Sequence, residues 1–166
     1  LAVVIRQRLD GAWSEARGRT GFAGTTLEAR IARVKAGAEG GRDADLIDLP
    51  GVYSLELDQL EARVCREVLA GTGAPSGEAI GAPEVVVIVA DGANLARNLM
   101  LVGEACRRRL PLVVAVNMID IARARGVSID VEKLSAALGC GVVETNARSG
   151  QGVEALRVGI REARIP

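Results

Sequence analysis

Residues 84–120 read EVVVIVADGANLARNLMLVGEACRRRLPLVVAVNMID. The run Glu84–Ala90 is continuous and rich in β-branched residues, as in a strand buried on both faces. Leu112–Val116 is a second such run. Between them, from Asn94 to about Arg109, Leu95, Leu99, Val102 and Cys106 recur at helical spacing along one stripe. Buried strands alternating with helical segments point to an α/β fold with a largely parallel sheet.

The same alternation continues outward. Downstream, Asp130 is placed to cap a helix that runs through Leu138 and stops at Gly139. Gly141–Glu144 reads as a short third strand, and Val153, Leu156 and Ile160 mark a last helix. Upstream, Ala2–Ile5 is a short apolar opening that suits a first strand. Leu27–Val34 roughly alternates, Gly37–Gly41 turns, and Asp45–Asp48 follows. These two segments are expected to pair as an antiparallel hairpin. Asp58 and Glu61 have the spacing of a capping box, ahead of a face formed by Leu60, Val64 and Val68 up to Gly71. Gly71–Pro83, rich in Gly, Pro and Ala, reads as a surface loop.

Composition narrows the function classes. The 166 residues suit one domain with a real core. The formal net charge is zero, which removes the broad electrostatic footprint of a nucleic-acid binder. Aromatic residues are only 2 % of the chain, which speaks against stacking on single-stranded bases. The longest apolar runs are far shorter than a membrane span. The opening shows no charged-then-apolar leader, and its first residue, Leu1, suggests an excised domain or a fragment. The chain has no histidine, and Cys65, Cys106 and Cys140 stand far apart with no CxxC pair. Histidine-based catalysis and the common zinc sites are therefore excluded, and three reduced, mostly buried thiols are expected. No cluster of metal-ligating side chains is visible in the sequence.

Each apolar strand is followed by a polar signature, and strand ends are where ligands bind in such sheets. Asp48-Leu49-Pro50-Gly51 is a DxxG. An aspartate at a strand end can hold magnesium through water, and the glycine lets its backbone N–H approach a terminal phosphate. Asn117-Met118-Ile119-Asp120 is an NxxD. A carboxylate there can accept from the N1–H and 2-amino group of guanine, a pair that adenine does not offer. Asn146-Ala147-Arg148 follows the third strand, where the Ala147 N–H can meet the guanine O6. Gly24-Thr25-Thr26 lies in a loop before the second strand, and a Thr26 hydroxyl there can reach magnesium. Singly, each pattern is also met in ordinary turns and helix caps. Their order and strand positions are those of a GTP-binding domain.

A closer resemblance extends from about Arg17 to Leu156. GTTLE (24–28) resembles the first switch of the ferrous iron transporter B family, and DLPGVYSL (48–55) resembles its third motif. DGANLARNLML (91–101), NMID (117–120), GVSIDVEKLSAALG (126–139) and NARSGQG (146–152) continue the match. The resemblance implies a P-loop GTPase-like three-layer α/β sandwich, with a mostly parallel sheet, one antiparallel strand and helices on both faces. It implies a single G domain over 1–166, with 1–16 atypical, that binds GTP or GDP with Mg2+ on Thr26 and Asp48. It further implies assistance by K+, a cytoplasmic location on the inner side of a membrane, and a membrane permease as partner. No transmembrane segment is read in this chain.

One part of the pattern is missing. A phosphate-binding loop needs GxxxxGK[ST], but after Ile5 the chain reads Arg6-Gln7-Arg8-Leu9-Asp10-Gly11-Ala12-Trp13, and no GK[ST] occurs anywhere. Its two lysines, Lys35 and Lys133, are far from this segment. Charge-assisted hydrogen bonds to phosphate are worth about 1.5–3 kcal/mol each, so losing three costs on the order of 5–9 kcal/mol. A micromolar ligand would become millimolar or weaker. Arg6, Arg8, Arg17 and Arg19 read as solvated charge, because side chains do not replace a nest of backbone N–H groups. Val52 stands where many GTPases carry a water-orienting glutamine, as the family pattern also has it, and the family's P-loop asparagine has no counterpart. Three functions follow for test: a GTP-binding, GTP-hydrolysing regulator of iron transport, a degenerate G domain acting as a non-enzymatic interaction module, and a G protein of another class such as ribosome assembly.

Overall fold

The computed structural model describes residues 2–7, 30–34, 44–72 and 81–166. Two compact units divide the chain, Leu1–Glu84 and Val85–Pro166. Gly24, Thr25 and Thr26, the turn at 37–41 and most of the 71–83 loop lie outside the described residues.

The first unit contains β1 (Ala2–Gln7), β2 (Arg30–Val34), β3 (Ala44–Asp48) and α1 (Leu60–Leu69). The expected hairpin is present: β2 pairs antiparallel with β3, from Arg30 opposite Asp48 to Val34 opposite Ala44. β1 adds a second antiparallel ladder on β3, with Val3 opposite Asp48 and Gln7 opposite Ala44. Beyond β3, Leu49, Val52, Ser54 and Leu55 are buried while Gly51 and Tyr53 are exposed. That alternation pins the segment to the core.

Helix α1 differs from the sequence expectation in two ways. Its N-cap is Gln59, whose side chain makes no capping bond, so the Asp58–Glu61 capping box is not formed. The entry to the helix is held instead by Arg66, whose guanidinium donates to the carbonyls of Leu55 and Leu57. The buried stripe is Ala62, Cys65, Val68 and Leu69, while Leu60 is 54 % exposed. On that stripe the Cys65 thiol donates to the Pro50 carbonyl at 3.7 Å.

The second unit is parallel α/β. β4 (Val85–Asp91), β5 (Leu112–Asn117) and β6 (Gly141–Glu144) pair in that order. A 3₁₀ turn (Gly92–Asn94) leads into α2 (Leu95–Arg107), which packs on β4 and β5. After β5 come α3 (Ile119–Ala124) and α4 (Val131–Leu138), and after β6 comes α5 (Val153–Arg161). Leu112–Val116 is buried throughout, as its composition requires, and each large side chain there contributes about 1.5–3 kcal/mol by leaving water. The buried residues of α2 are Leu101, Val102, Glu104 and Ala105, with Leu95, Leu99 and Cys106 only half-buried. The stripe is rotated from the expected one because the contact with β4 and β5, rather than the average apolar moment, selects the phase. Asp130 caps α4 by accepting from the Lys133 N–H at 3.0 Å, and Gly139 ends it at φ +70°. All three thiols are free, with Cys65 and Cys140 buried. No helix among the described residues is long and apolar enough to cross a membrane.

Candidate functional site

The site residues belong to two groups, one in each unit. In the first unit Asp48 is the last residue of β3. Its Oδ1 is buried and has no hydrogen-bond partner among the described residues. A buried carboxylate oxygen without a donor is costly, and the cost is relieved when a cation or its bound water supplies the missing partner. The donor is therefore of the right kind for magnesium. Leu49 and Pro50 are buried and anchor the turn, whereas Gly51 is exposed. A Cβ built on Gly51 meets nothing within 4 Å. Among the described residues nothing therefore crowds this position, and a glycine backbone there suits close approach by a ligand. Val52 is 7 % exposed, so it is part of the core and offers no group to a water.

The β1 register bears on the missing phosphate loop. β1 ends at Gln7 beside Ala44, where β3 begins, and Asp48 is where β3 ends. At about 3.4 Å per residue, the end of β1 and Asp48 are separated by roughly 14 Å along the ladder. Arg6 lies opposite Asp45 in the register, away from the DxxG end. Arg8, Arg17 and Arg19 lie outside the described residues.

In the second unit the parallel register lines up the strand ends: Asp91 pairs with Asn117, and Val116 with Glu144. The NxxD and Asn-Ala-Arg segments leave adjacent strands at the same end of the sheet. They are joined directly, because the Ala147 N–H donates to Asn117 Oδ1 at 2.9 Å. The amide expected to meet a guanine O6 is thus already held by the asparagine of the other motif. Thr145 N–H donates to the Val116 carbonyl at 2.7 Å and extends the ladder into the loop. Asn146 then organises the turn: its Oδ1 accepts from Arg148 N–H at 3.1 Å and Ser149 N–H at 3.3 Å, and its own N–H donates to the Gln151 carbonyl at 2.9 Å. This is the side-chain-to-backbone bonding for which asparagine is favoured in turns.

Met118 adopts the left-handed conformation at φ +59°, uncommon for a residue with a Cβ. That twist reverses the chain between β5 and α3. Ile119, 1 % exposed, then plugs into the core and Asp120 stays exposed on the first turn of α3. Asp120 has no hydrogen bond or ion pair among the described residues, so its carboxylate is free to accept from a ligand. Behind them, Asp91 accepts from Ala93 N–H at 2.8 Å and Asn94 Nδ2 at 2.6 Å. The Asn94 bond in the first place holds the Asp91 carboxyl below the usual range. Gly92 packs so tightly that a Cβ there would sit 3.0 Å from the Asn117 carbonyl oxygen.

Sequence reasoning did not find Arg123, Glu144 or Gly152. Arg123 Nη2 donates to Glu144 Oε2 at 2.6 Å, joining α3 to the end of β6. Gly152, at φ +80°, closes the loop so closely on β6 that a Cβ would lie 2.0 Å from the Glu144 oxygen. The glycine of NARSGQG was legible as part of a pattern, but the ion pair spans residues with no local code linking them. Among the described residues no group of three or more Cys, Asp or Glu is gathered to hold a metal ion.

Comparison with known proteins agrees with these observations. The model of the family described as ferrous iron transport protein B matches residues 13–160, which extends over both units. The Fe(2+) transporter FeoB of Salmonella typhimurium is 38% identical over 153 residues, covering 87% of this chain and 18% of that protein. The chain therefore spans about a fifth of the length of such relatives. Among solved structures, the FeoB G-domain from Methanococcus jannaschii aligns with a TM-score of 0.70 at 29% identity, covering 82% of this chain and 80% of that one. The cytosolic domain of the T. maritima FeoB iron transporter in a GDP form also gives 0.70, at 30% identity, covering 86% of this chain and 51% of that one. The fold is the P-loop GTPase-like α/β fold of these G domains.

Proposed function

Because the chain belongs to the ferrous iron transport protein B family, we propose that it is the guanine-nucleotide-binding regulatory domain of a ferrous iron transporter. The observation that carries the reading is the Ala147 N–H···Asn117 Oδ1 bond at 2.9 Å. It joins the two base-reading segments at the ends of adjacent parallel strands. In this reading the residues act on a guanine nucleotide: Asp120 accepts from N1–H and the 2-amino group, and Ala147 offers its N–H to O6. Met118 supplies an apolar contact to the base, and Asn117, Ile119, Asn146 and Arg148 hold the loops in place. Asp48 binds magnesium through water, Gly51 turns its N–H to the terminal phosphate, and Thr26 completes the metal's ligands. Leu49 and Pro50 anchor the switch, and Gly24 and Thr25 lead into it.

Magnesium, when bound, would neutralise phosphate charge and tie Thr26 and the Asp48–Gly51 segment to the nucleotide. Loss of the γ-phosphate releases these segments, and the motion passes to a membrane permease on whose cytosolic side the domain sits. K+ would add to the phosphate charge compensation. Base recognition is the stronger half of this assignment, since no GK[ST] is present for the phosphates. Hydrolysis without that loop is slow, and Val52 supplies no polar group to orient water.

A second reading is favoured by the missing GK[ST] and by β1 ending at the Ala44 end of β3. In it the domain keeps the fold, binds nucleotide negligibly and serves as an interaction module. Titration with fluorescent GDP and GTP in magnesium, against an adenine nucleotide, separates the two. Guanine-selective binding weaker than micromolar supports the first. A folded chain that binds neither base at millimolar ligand refutes it and leaves the module. Co-sedimentation with ribosomes would instead support a G protein of the ribosome-assembly class.

A further inference from the structure

Asp120 and Ala147 lie on separate stretches of chain, and a base can be read by both only if α3 and the loop after β6 hold a fixed relation. β6 is a four-residue edge strand paired with β5 alone, so its end is the part in need of support. Arg123 lies three residues after Asp120 and shares a face of α3 with it. It donates to Glu144, the last residue of β6, at 2.6 Å. The Glu144 side chain is 26 % exposed and that of Arg123 57 %, so the pair is partly shielded on its acidic side. On the other side of Asp120, Asn117 holds the Ala147 N–H. Asp120 thus stands, along the chain, between a tie to the end of β6 and a tie to the loop that follows it.

We infer that Arg123 and Glu144 are positioning residues, a lateral clamp that aims the Asp120 carboxylate and the Ala147 amide at the same base. This rests on the guanine-nucleotide reading above. Neither residue touches the nucleotide. Ile119 and Ala122 seat α3 in the core, and the ion pair adds the sideways tie to the loop.

The test uses Arg123→Gln, Glu144→Gln, the two together, and the reversed pair Arg123→Glu with Glu144→Arg. Amide hydrogen exchange of residues 145–151 is compared with that of β4 and β5, without nucleotide. Each single variant is expected to speed loop exchange about threefold, the scale of a partly exposed ion pair, and to leave β4 and β5 unchanged. The double variant adds nothing further, and the reversed pair restores slow exchange. In the presence of fluorescent GDP the single variants raise the dissociation rate by a similar factor and narrow the preference for GDP over ADP, and the reversed pair restores both. Loop exchange unaffected by Arg123→Gln, or additive effects in the double variant, overturn the clamp. So does a GDP-over-ADP preference that stays constant across the series. Failure of the unmodified chain to bind any guanine nucleotide refutes the reading of the site instead, and is seen before any variant is compared.

Discussion

Replacing Gly152 by alanine tests how the loop after β6 is closed. Two costs arise at this position. The first is conformational: Gly152 has φ +80°, and a Cβ in the left-handed region costs about 1–2 kcal/mol. The second is steric. The added Cβ would lie 2.0 Å from the Glu144 carbonyl oxygen, and 3.1 Å from both the Glu144 carbonyl carbon and the Thr145 Cα. All three are backbone atoms and cannot swing aside, so β6 or α5 must shift, at an overpacking cost of about 1–3 kcal/mol. The total is about 2–5 kcal/mol, a large part of the 5–15 kcal/mol typical of a folded domain. Gly150 provides the control. It also has a positive φ, at +79°, but a Cβ there meets nothing within 4 Å among the described residues. Gly150→Ala should cost only the conformational part, about 1–2 kcal/mol. Urea unfolding gives both values, and at about 2–4 °C per kcal/mol the melting point falls by roughly 4–20 °C and 2–8 °C respectively. Equal losses for the two alanines would refute the crowding argument, and with it the tight closure of the loop on Glu144.

The remaining expectations concern single side chains. Asp120→Ala should leave stability unchanged within about 0.5 kcal/mol, because the side chain is exposed and has no partner among the described residues. By equilibrium titration it should weaken guanine binding on the order of 100-fold, two charge-assisted bonds at the low end of their range, and leave adenine binding unchanged. Asn117→Ala removes the acceptor of the Ala147 N–H, so that amide should exchange about fivefold faster at a stability cost of about 1 kcal/mol. Burial pushes the Cys65 and Cys140 thiols from 9.0 up to about 11. Their folded values exceed the unfolded one, so their contribution to stability is complete below pH 9.0 and is lost as pH rises towards about 11. Unfolding midpoints followed across that range check the direction, and Cys65→Ala with Cys140→Ala should flatten the alkaline loss. Cys106, half-buried, should be the first thiol alkylated near pH 8.

Much of the second unit was legible in the primary structure for a local reason. Val85–Ala90 and Leu112–Val116 are continuous apolar runs, of the kind carried by a strand covered on both faces. Asp130 and Gly139 encode the ends of α4 through bonding and φ requirements a few residues long, and both ends formed as read. The DxxG and NxxD placements followed from the same logic, since each begins at the end of a strand read from the sequence. The capping box at Asp58 misled because its competitor, Arg66 reaching the Leu55 and Leu57 carbonyls, comes from a later turn of the helix.

The sequence by itself thus determined which segments are strands, where they end to within about two residues, and which polar signatures follow them: β1, β4 and β5 run on to Gln7, Asp91 and Asn117, past the expected Ile5, Ala90 and Val116. Those properties depend on side chains within a few residues of each other. Only the tertiary structure decided which face of α1 and α2 is buried, that β1 lies antiparallel to β3, and that Asn117 holds Ala147 while Arg123 holds Glu144. Each of these is a choice among partners distant in the chain. Any apolar stripe within a turn of the right phase buries nearly as much area, and any free strand edge offers the same backbone groups. The selection is made by packing and hydrogen-bond geometry when the elements meet, which no local pattern contains.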